Sequence, residues 1–271
     1  MDALWSRHNA SWRHSAQVCS QWQDADRIDP RLLKFETRGK WWETVEKCGI
    51  VLIVSREYEH LLLALSVAGR GPDISYMVLP HPSGIAVDRK KGIVHVASTR
   101  NPNQIYDFAP VNGSIKRGDM KTEIKDRPLV PVRSRYFPGS LYMHDLAMVG
   151  GKLHANAVGH NAVAEITEHG FRRVWWPKCI EKRGAPVFEM NYLQLNSIAA
   201  GSDLRSSFFS ASTDMLGVRR PGHRNFPVDK RGVIFSGKTR EPIARGLTRP
   251  HSARMHKNRI WVDNSGYGEV G

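Results

Sequence analysis

Three observations predict an all-β, propeller-like fold built from four-stranded blades. Short runs rich in Val, Ile and Leu alternate with turn-forming residues from residue 49 onward, which is the pattern of strands. Few stretches are long enough for an amphipathic helix. One segment, consisting of a small or polar pair, an apolar strand, a polar turn and a second strand, recurs four times along the chain.

The chain divides into two parts by composition. Residues 1–40 are polar and predict a peripheral N-terminal arm, whereas residues 41–271 carry the strand pattern and predict the propeller-like domain. Within that domain, Gly49–Val54 and His60–Ala68 predict a hairpin. Further strands are predicted at SGIAVD, GIVHVAS, QIYDFAP, KLHANAV, AVAEITE, FRRVWW, SIAAG, SFFSAS, GVIFSG, PIARGL and RIWVDNS.

The four repeats begin near residues 82, 143, 195 and 250. If Ile85, Leu146, Ile198 and Ala253 are equivalent, the intervals between repeats are 61, 52 and 55 residues. Propeller blades are typically about 40 to 50 residues long, so these intervals predict one four-stranded blade per repeat with insertions in the loops. A β-sandwich is the alternative architecture, and the registered repeat favours the propeller over it.

Aligning the repeats places four polar residues in one equivalent position, just ahead of the first apolar strand: Ser83, His144, Asn196 and His251. The innermost strands of a propeller begin around the central channel, so we expect these side chains to face one axis. Asp145 and Ser252 follow directly and are predicted to orient the imidazoles. The predicted ligand-binding set is therefore Ser83, His144, Asp145, Asn196, His251 and Ser252.

These residue types allow two interpretations. In the functional one, His144 and His251 are candidate ligands of a divalent metal or candidate acid–base residues, and Asn196 is a candidate orienting or oxyanion group. Asp145 is the only acid beside the ring, which argues against a calcium site. In the structural interpretation, the polar side chains cap strand ends and join blades by hydrogen bonds to the backbone.

One segment matches the phosphate-loop pattern without its expected setting. In GVIFSGKT, Gly232, Gly237, Lys238 and Thr239 occupy the pattern's fixed positions. A functional phosphate loop needs a preceding strand and a helix that begins at the Lys. Here the strand-like residues lie inside the loop and Pro242 follows shortly after it. The segment predicts a hairpin, and no ATP site is expected.

Composition narrows the choice of partners. The chain has 40 Lys and Arg against 26 Asp and Glu, a net charge of +14, but its basic residues are scattered. Aromatic-plus-basic signatures of nucleic-acid modules are absent, so a nucleic-acid partner is not expected. Three cysteines without a Cys-x-x-Cys pair favour idle thiols in a reducing compartment. No signal peptide or membrane span is predicted, and the expected location is the cytoplasm.

Several motifs resemble those of one family. HDLA at residues 144–147, LNSIA at 195–199 and PHSARMHKNRIWVDNSGYGEVG at 250–271 occur in the order seen in an uncharacterised bacterial family, a propeller-like domain of unknown function. The likeness spans roughly residues 41–271 and is distantly similar to the six-bladed strictosidine synthases and gluconolactonases. Two positions depart from the family pattern: Gln194 stands where the family has His, and Met255 where it has Trp.

The resemblance adds two implications to this interpretation. Members of the family continue with further blades after the Gly-Glu-x-Gly segment, so the likeness implies a ring that is incomplete at the C-terminus. We expect a protein that binds a small ligand, a metal or a protein partner near the blade axis. Two alternatives stay open: a hydrolase or isomerase of the class that the resemblance implies, using axial histidines, and a basic protein that binds polyanions.

Overall fold

The computed structural model describes residues 29–69, 71–100, 103–110, 129–137, 141–188, 190–217 and 227–271. The predicted N-terminal arm therefore lies largely outside the described residues. The statements below concern the described ranges.

The described part of the chain opens with helical structure that the strand pattern did not predict. A 3₁₀ turn, Pro30–Leu33, is capped by the Asp29 side chain, and helix α1, Trp41–Cys48, follows it. Helix α1 ends at Gly49, which adopts a left-handed conformation with φ of 60°. It buries Val45 and contacts the first sheet. None of the described helices is long and apolar enough to cross a membrane.

The remaining elements form five successive antiparallel sheets and one short hairpin. The first sheet contains β1 (Leu52–Arg56), β2 (Leu61–Ala68) and β3 (Gly71–Val78). The second contains β4 (Pro82–Asp88), β5 (Ile93–Ser98), β6 (Gln104–Pro110) and β7 (Leu129–Tyr136). The third contains β8 (Met143–Val149), β9 (Lys152–Ala157), β10 (Ala162–Thr167) and β11 (Gly170–Trp175).

A two-stranded hairpin, β12 (Glu181–Lys182) and β13 (Ala185–Pro186), separates the third and fourth sheets. The fourth sheet contains β14 (Leu195–Ala199), β15 (Phe208–Ala211), β16 (Gly232–Ser236) and β17 (Pro242–Leu247). The fifth contains β18 (Pro250–His256), β19 (Arg259–Asn264) and β20 (Glu269–Val270). Short 3₁₀ turns lie at Val158–His160 and Lys178–Ile180.

The sheets are the blades of a five-bladed β-propeller arrangement. In each, the strands pair in chain order, and the first strands of successive sheets contact one another: β1 with β4, β4 with β8, β8 with β14, and β14 with β18. The predicted fold class is thereby confirmed. The second, third and fourth blades have four strands, and the first and fifth have three in the described residues.

The four sequence repeats lie on the first two strands of blades two to five. The equivalent residues Ile85, Leu146, Ile198 and Ala253 all lie in first strands, as the alignment predicted. The predicted hairpin near residue 60 is also confirmed, with Leu52 opposite Leu65 and Arg56 opposite Leu61. It belongs to an additional blade that the repeat alignment did not include.

Apolar side chains fill the space between blades. Between the third and fourth blades, Trp175 lies 4.0 Å from Phe209 between ring centroids and packs edge-on against Phe235. The Trp175 indole N–H donates to the Gly237 carbonyl at 3.1 Å, which satisfies the one polar atom of this buried ring. Between the fourth and fifth blades, a smaller cluster joins Ile234, Ala253 and Val262.

The segment that matches the phosphate-loop pattern forms the predicted hairpin between β16 and β17. The amide N–H groups of Lys238 and Thr239 lie 3.2 and 3.3 Å from Ser236 Oγ, and Arg240 donates to the Ser236 carbonyl at 2.8 Å. These amides close a turn in the protein itself. They are therefore not directed outward as a phosphate cradle would require.

Close packing of the first strands generates a test of the blade arrangement. A Cβ at Gly84 would lie 2.5 Å from Asp145 Cα and from Leu146 N, both backbone atoms of the next blade. We expect Gly84→Ala to lower the free energy of unfolding by about 2 to 3 kcal/mol, because the two strands must separate. Urea denaturation measures the change. Gly71→Ala is the matched control, since a Cβ there meets nothing within 4 Å, and equal effects of the two variants would contradict the arrangement.

Candidate functional site

The inner ends of all five blades surround a cavity of about 270 Å³. Its lining residues are Glu57 and Tyr58 from the first blade, Ser83 from the second, His144 and Asp145 from the third, Asn196 and Ser197 from the fourth, and His251 and Ser252 from the fifth. The structure thus brings all six residues of the predicted ligand-binding set to one cavity. Sequence reasoning missed Glu57, Tyr58 and Ser197.

A repeated backbone feature positions the side chains at the four equivalent sites. The residue two places before each site adopts a left-handed conformation: His81, Tyr142, Gln194 and Arg249, with φ between 45° and 54°. The strand register then shifts at the start of β4, β8, β14 and β18. Such bulges bend a strand and re-aim a side chain. The same irregularity in four blades therefore directs four equivalent side chains towards one axis.

His251 is held in one orientation by groups of its own blade. Its Nδ1 lies 2.7 Å from the Arg249 carbonyl oxygen and 3.0 Å from Ser265 Oγ. A carbonyl oxygen only accepts, so Nδ1 carries the proton and Nε2 of the neutral ring is an acceptor. Burial lowers the pKa of His251, which favours this neutral form. The expected orienting role of Ser252 is thus filled by Arg249 and Ser265 instead.

His144 has a different environment. Its Nε2 lies 3.5 Å from Gln194 Nε2. Asn191 holds Gln194 from both ends: it donates to Gln194 Oε1 at 2.9 Å and accepts from the Gln194 amide at 2.8 Å. The carbonyl oxygen of His144 accepts from Ser83 Oγ at 3.0 Å. The third blade is thereby joined to the second at the level of the cavity.

Asn196 is almost completely buried, with 2% of the residue exposed. Its Nδ2 donates to the Pro250 carbonyl at 3.0 Å and lies 3.3 Å from Ser212 Oγ. Its Oδ1 is buried and has no hydrogen-bond partner among the residues that the structure describes. A buried acceptor without a partner costs about 1 to 3 kcal/mol. Asn196 therefore joins the fourth blade to the fifth through one amide atom and leaves its other amide atom unsatisfied.

Asp145 does not orient an imidazole, and this part of the prediction is wrong. Its carboxylate accepts from both terminal nitrogens of Arg254, at 2.6 and 2.8 Å, and from the backbone amides of Ile198 at 2.9 Å and Leu146 at 3.0 Å. Burial raises the pKa of Asp145, and these donors oppose that effect. The carboxylate oxygens already accept these four hydrogen bonds, so Asp145 does not accept from His144 or His251 as well.

The first blade contributes the cavity's second carboxylate. Glu57 Oε1 accepts from Thr99 Oγ1 at 2.6 Å and lies 3.8 Å from Arg100 Nε. Burial raises the pKa of Glu57, while the Thr99 hydroxyl and the Arg100 charge act in the opposite direction. Arg100 also lies over the ring of Tyr58, 5.3 Å from its centroid. Glu57 and Tyr58 lie between β1 and β2, and no repeated motif marks this position in the sequence.

The side chains at the cavity do not provide a complete set of ligands for the candidate divalent metal. Within the described residues, no cluster of three or more His, Cys, Asp or Glu side chains could hold a metal ion. The two carboxylates that line the cavity already have Arg254 and Arg100 beside them. His144 and His251 therefore lack the third ligand that a transition-metal site requires, and the site does not fit a resident metal.

Comparisons with known proteins give one family match and several similar solved structures. The model of the family described as "Domain of unknown function (DUF4915)" matches residues 39–271. Similar solved structures include the Myceliophteria thermophila Cps50 (Swd1) beta-propeller domain, with 11% identity, a TM-score of 0.41, and coverage of 79% of this chain and 63% of that one. Streptogramin B lyase has 13% identity, a TM-score of 0.41, and coverage of 78% and 72%. No curated protein sequence matches the chain.

The Asp145–Arg254 pair generates a test of the inter-blade contacts. We expect Arg254→Met to lower the free energy of unfolding by about 2 to 3 kcal/mol, since a buried carboxylate loses its two charged donors while Arg254 itself is half exposed. Arg245→Met removes a pair with Asp214 on a more exposed surface. It should cost less than about 1 kcal/mol. Urea unfolding at pH 7 compares the two variants.

The same variant has a signature in its pH dependence. Without Arg254, the pKa of Asp145 rises further in the folded state, so the folded variant binds more protons than the unfolded chain above the ordinary carboxyl pKa. Its stability deficit should therefore shrink as the pH falls from 7 towards 4. A deficit that stays constant over this range would show that the lost stability came from packing rather than from the Asp145 charge.

Proposed function

The chain belongs to the DUF4915 family, and we propose that it binds a small polar molecule in the cavity at the blade axis. The observation that carries this proposal is the convergence of blade-equivalent polar side chains: Ser83, His144, Asn196 and His251 come from four separate blades to one cavity. Binding sites form where a few polar groups converge in a concavity.

The state of those polar groups supports a ligand over a purely structural role. Structural bonds to the backbone account for Ser83 Oγ and Asn196 Nδ2. They leave the Nε2 face of His251 as an acceptor, since Nδ1 donates to the Arg249 carbonyl. A bound molecule that donates hydrogen bonds would satisfy groups of this kind. The volume of about 270 Å³ limits that molecule to a small metabolite rather than a peptide segment.

Acid–base catalysis is the second candidate, and the orientation of His251 favours it. A neutral imidazole whose Nδ1–H is fixed by a carbonyl is arranged to accept a proton at Nε2. Asn196 would then orient the substrate, and His144 would act as the partner acid or base. This is the role that the hydrolase or isomerase alternative assigns to the three residues. Polyanion binding stays a prediction, because it would depend on the basic surface and not on the groups that line the cavity.

The binding proposal is tested with a library of small metabolites that spans sugars, polyols, amines, amino acids and organic acids. We expect at least one class to raise the Tm of the wild type, and expect His251→Gln to reduce that shift by at least about half, since it removes an imidazole acceptor. His256→Gln alters an exposed imidazole outside the cavity and is the matched control. Thermal unfolding followed by calorimetric titration provides the measurements.

Two results would contradict the proposal. One is a library in which every stabilising compound acts equally on the wild type, His251→Gln and His256→Gln, since binding would then lie outside the cavity. The other is a wild type that no compound stabilises. Catalysis is separated from binding by offering the bound compounds as esters or lactones: turnover that His251→Gln abolishes while binding persists supports the second candidate.

A further inference from the structure

The charges around the cavity restrict the chemical class of its ligand. The chain carries a net charge of +14. None of the cavity's nine described lining residues is Lys or Arg, while two of them are the carboxylates Glu57 and Asp145. A site for a phosphate or carboxylate normally presents Arg, Lys or a cluster of backbone N–H groups. This cavity has the opposite character to the surface that surrounds it.

The two neighbouring cations do not change that character. Arg254 lies against the Asp145 carboxylate and uses both terminal nitrogens on it. Arg100 lies 3.8 Å from Glu57 Oε1 and over the Tyr58 ring. Each guanidinium is therefore placed beside a carboxylate and outside the lining, where it balances a negative charge. Among the described residues that line the cavity, no cation is therefore left over for an incoming anion.

The hydrogen-bonding groups at the cavity are mainly acceptors. His251 Nε2 accepts when Nδ1 donates to the Arg249 carbonyl. In the part of the chain that the structure describes, Glu57 contacts both Thr99 and Arg100 through Oε1, so its second oxygen adds acceptor capacity. Hydroxyls of Ser83 and Ser197 are already engaged, with the His144 carbonyl and with Ser210 and the Ala253 amide. A complementary ligand must supply several donors.

We propose that the axial cavity takes a compact, polyhydroxylated molecule without negative charge, and that Glu57 is the residue that sets this preference. This inference rests on the proposed function and deepens it. Hydroxyl groups supply the donors that Glu57 and His251 require, and they can also accept from Ser252. A molecule of monosaccharide size suits a cavity of about 270 Å³. An amine in place of one hydroxyl adds a donor, whereas a carboxylate removes one and meets Glu57 with like charge.

Matched compounds of one skeleton test the preference directly. Two triads are titrated into the full chain by calorimetry at millimolar concentrations: glucose, glucosamine and glucuronate, and glucitol, 1-amino-1-deoxyglucitol and gluconate. We expect a neutral or amine member of at least one triad to bind at least about tenfold more tightly than its carboxylate member. His251→Gln should weaken that binding, whereas His256→Gln should not.

Glu57→Gln keeps the shape of the side chain and removes its charge, which separates recognition from folding. We expect Glu57→Gln to bind the neutral compound at least about tenfold more weakly than the wild type does. The ratio of the affinities for the neutral and the carboxylate members should fall by a similar factor. A residue with only a structural role would change both members equally. Glu168→Gln, on an exposed carboxylate, is the matched control.

Three outcomes would overturn the inference: a carboxylate member that binds as tightly as its neutral partner, an unchanged preference in Glu57→Gln, or no binding by any member of either triad. The proposed function is tested by a separate outcome. It survives if another class of small molecule binds in a manner that depends on His251, and it fails only when no compound does so.

Discussion

The arrangement of the inner strands depends on the hydrogen bonds that the buried Asp145 carboxylate accepts. It lies on the first strand of the third blade, accepts the Ile198 amide of the fourth blade and binds Arg254 of the fifth. A fully buried charge is tolerated only when several donors surround it, and here four N–H groups do so. Because these donors come from different blades, the carboxylate is satisfied only when three blades stand in their correct relative positions.

The same requirement recurs around the axis with neutral groups. Each of the first four blades supplies a side chain that donates to a backbone carbonyl of the next: Ser55 to Ser83, Ser83 to His144, Asn156 to Leu195, and Asn196 to Pro250. Strand ends at the axis leave carbonyl groups that no ladder partner satisfies, and buried carbonyls need donors. Polar residues are therefore required at these positions by the fold itself, which realises the structural interpretation of the repeats.

The structural requirement fixes only part of these side chains. Ser83 Oγ and Asn196 Nδ2 are used between blades, whereas His251 Nε2 is left as an acceptor because Nδ1 donates to the Arg249 carbonyl. The backbone irregularity repeated before His251 and its equivalents aims their side chains inward. A ligand that donates to this acceptor would add a hydrogen bond without breaking those between blades.

Periodicity carried most of what the sequence could predict. The spacing of Ile85, Leu146, Ile198 and Ala253 predicted equivalent strands, and equivalence alone was enough to bring His144 and His251 to one cavity. Spacing predicts proximity but not direction, so Asp145 was expected beside an imidazole when its carboxylate turns to Arg254, 109 positions away.

Apart from Ser197, which lies in the LNSIA repeat, the features that were missed lie outside the repeats. Glu57 and Tyr58 lie between the strands of a hairpin whose blade lacks the shared motif, and β3 and β7 have exposed, mixed side chains rather than an apolar run. Helix α1 buries only Val45, so its sequence carries a weak helical pattern next to a strong strand pattern. Each miss has the same origin: the contacts that determine these elements are made with distant parts of the chain.

The central claim is that residues from separate blades form one ligand site, and imidazole ¹⁵N NMR tests it most directly. Adding a compound that stabilises the protein should shift the His144 and His251 signals together, along one saturation curve, while His169 and His256 stay unchanged. Shifts confined to His169 or His256, or saturation of His144 and His251 at different concentrations, would contradict a single axial site.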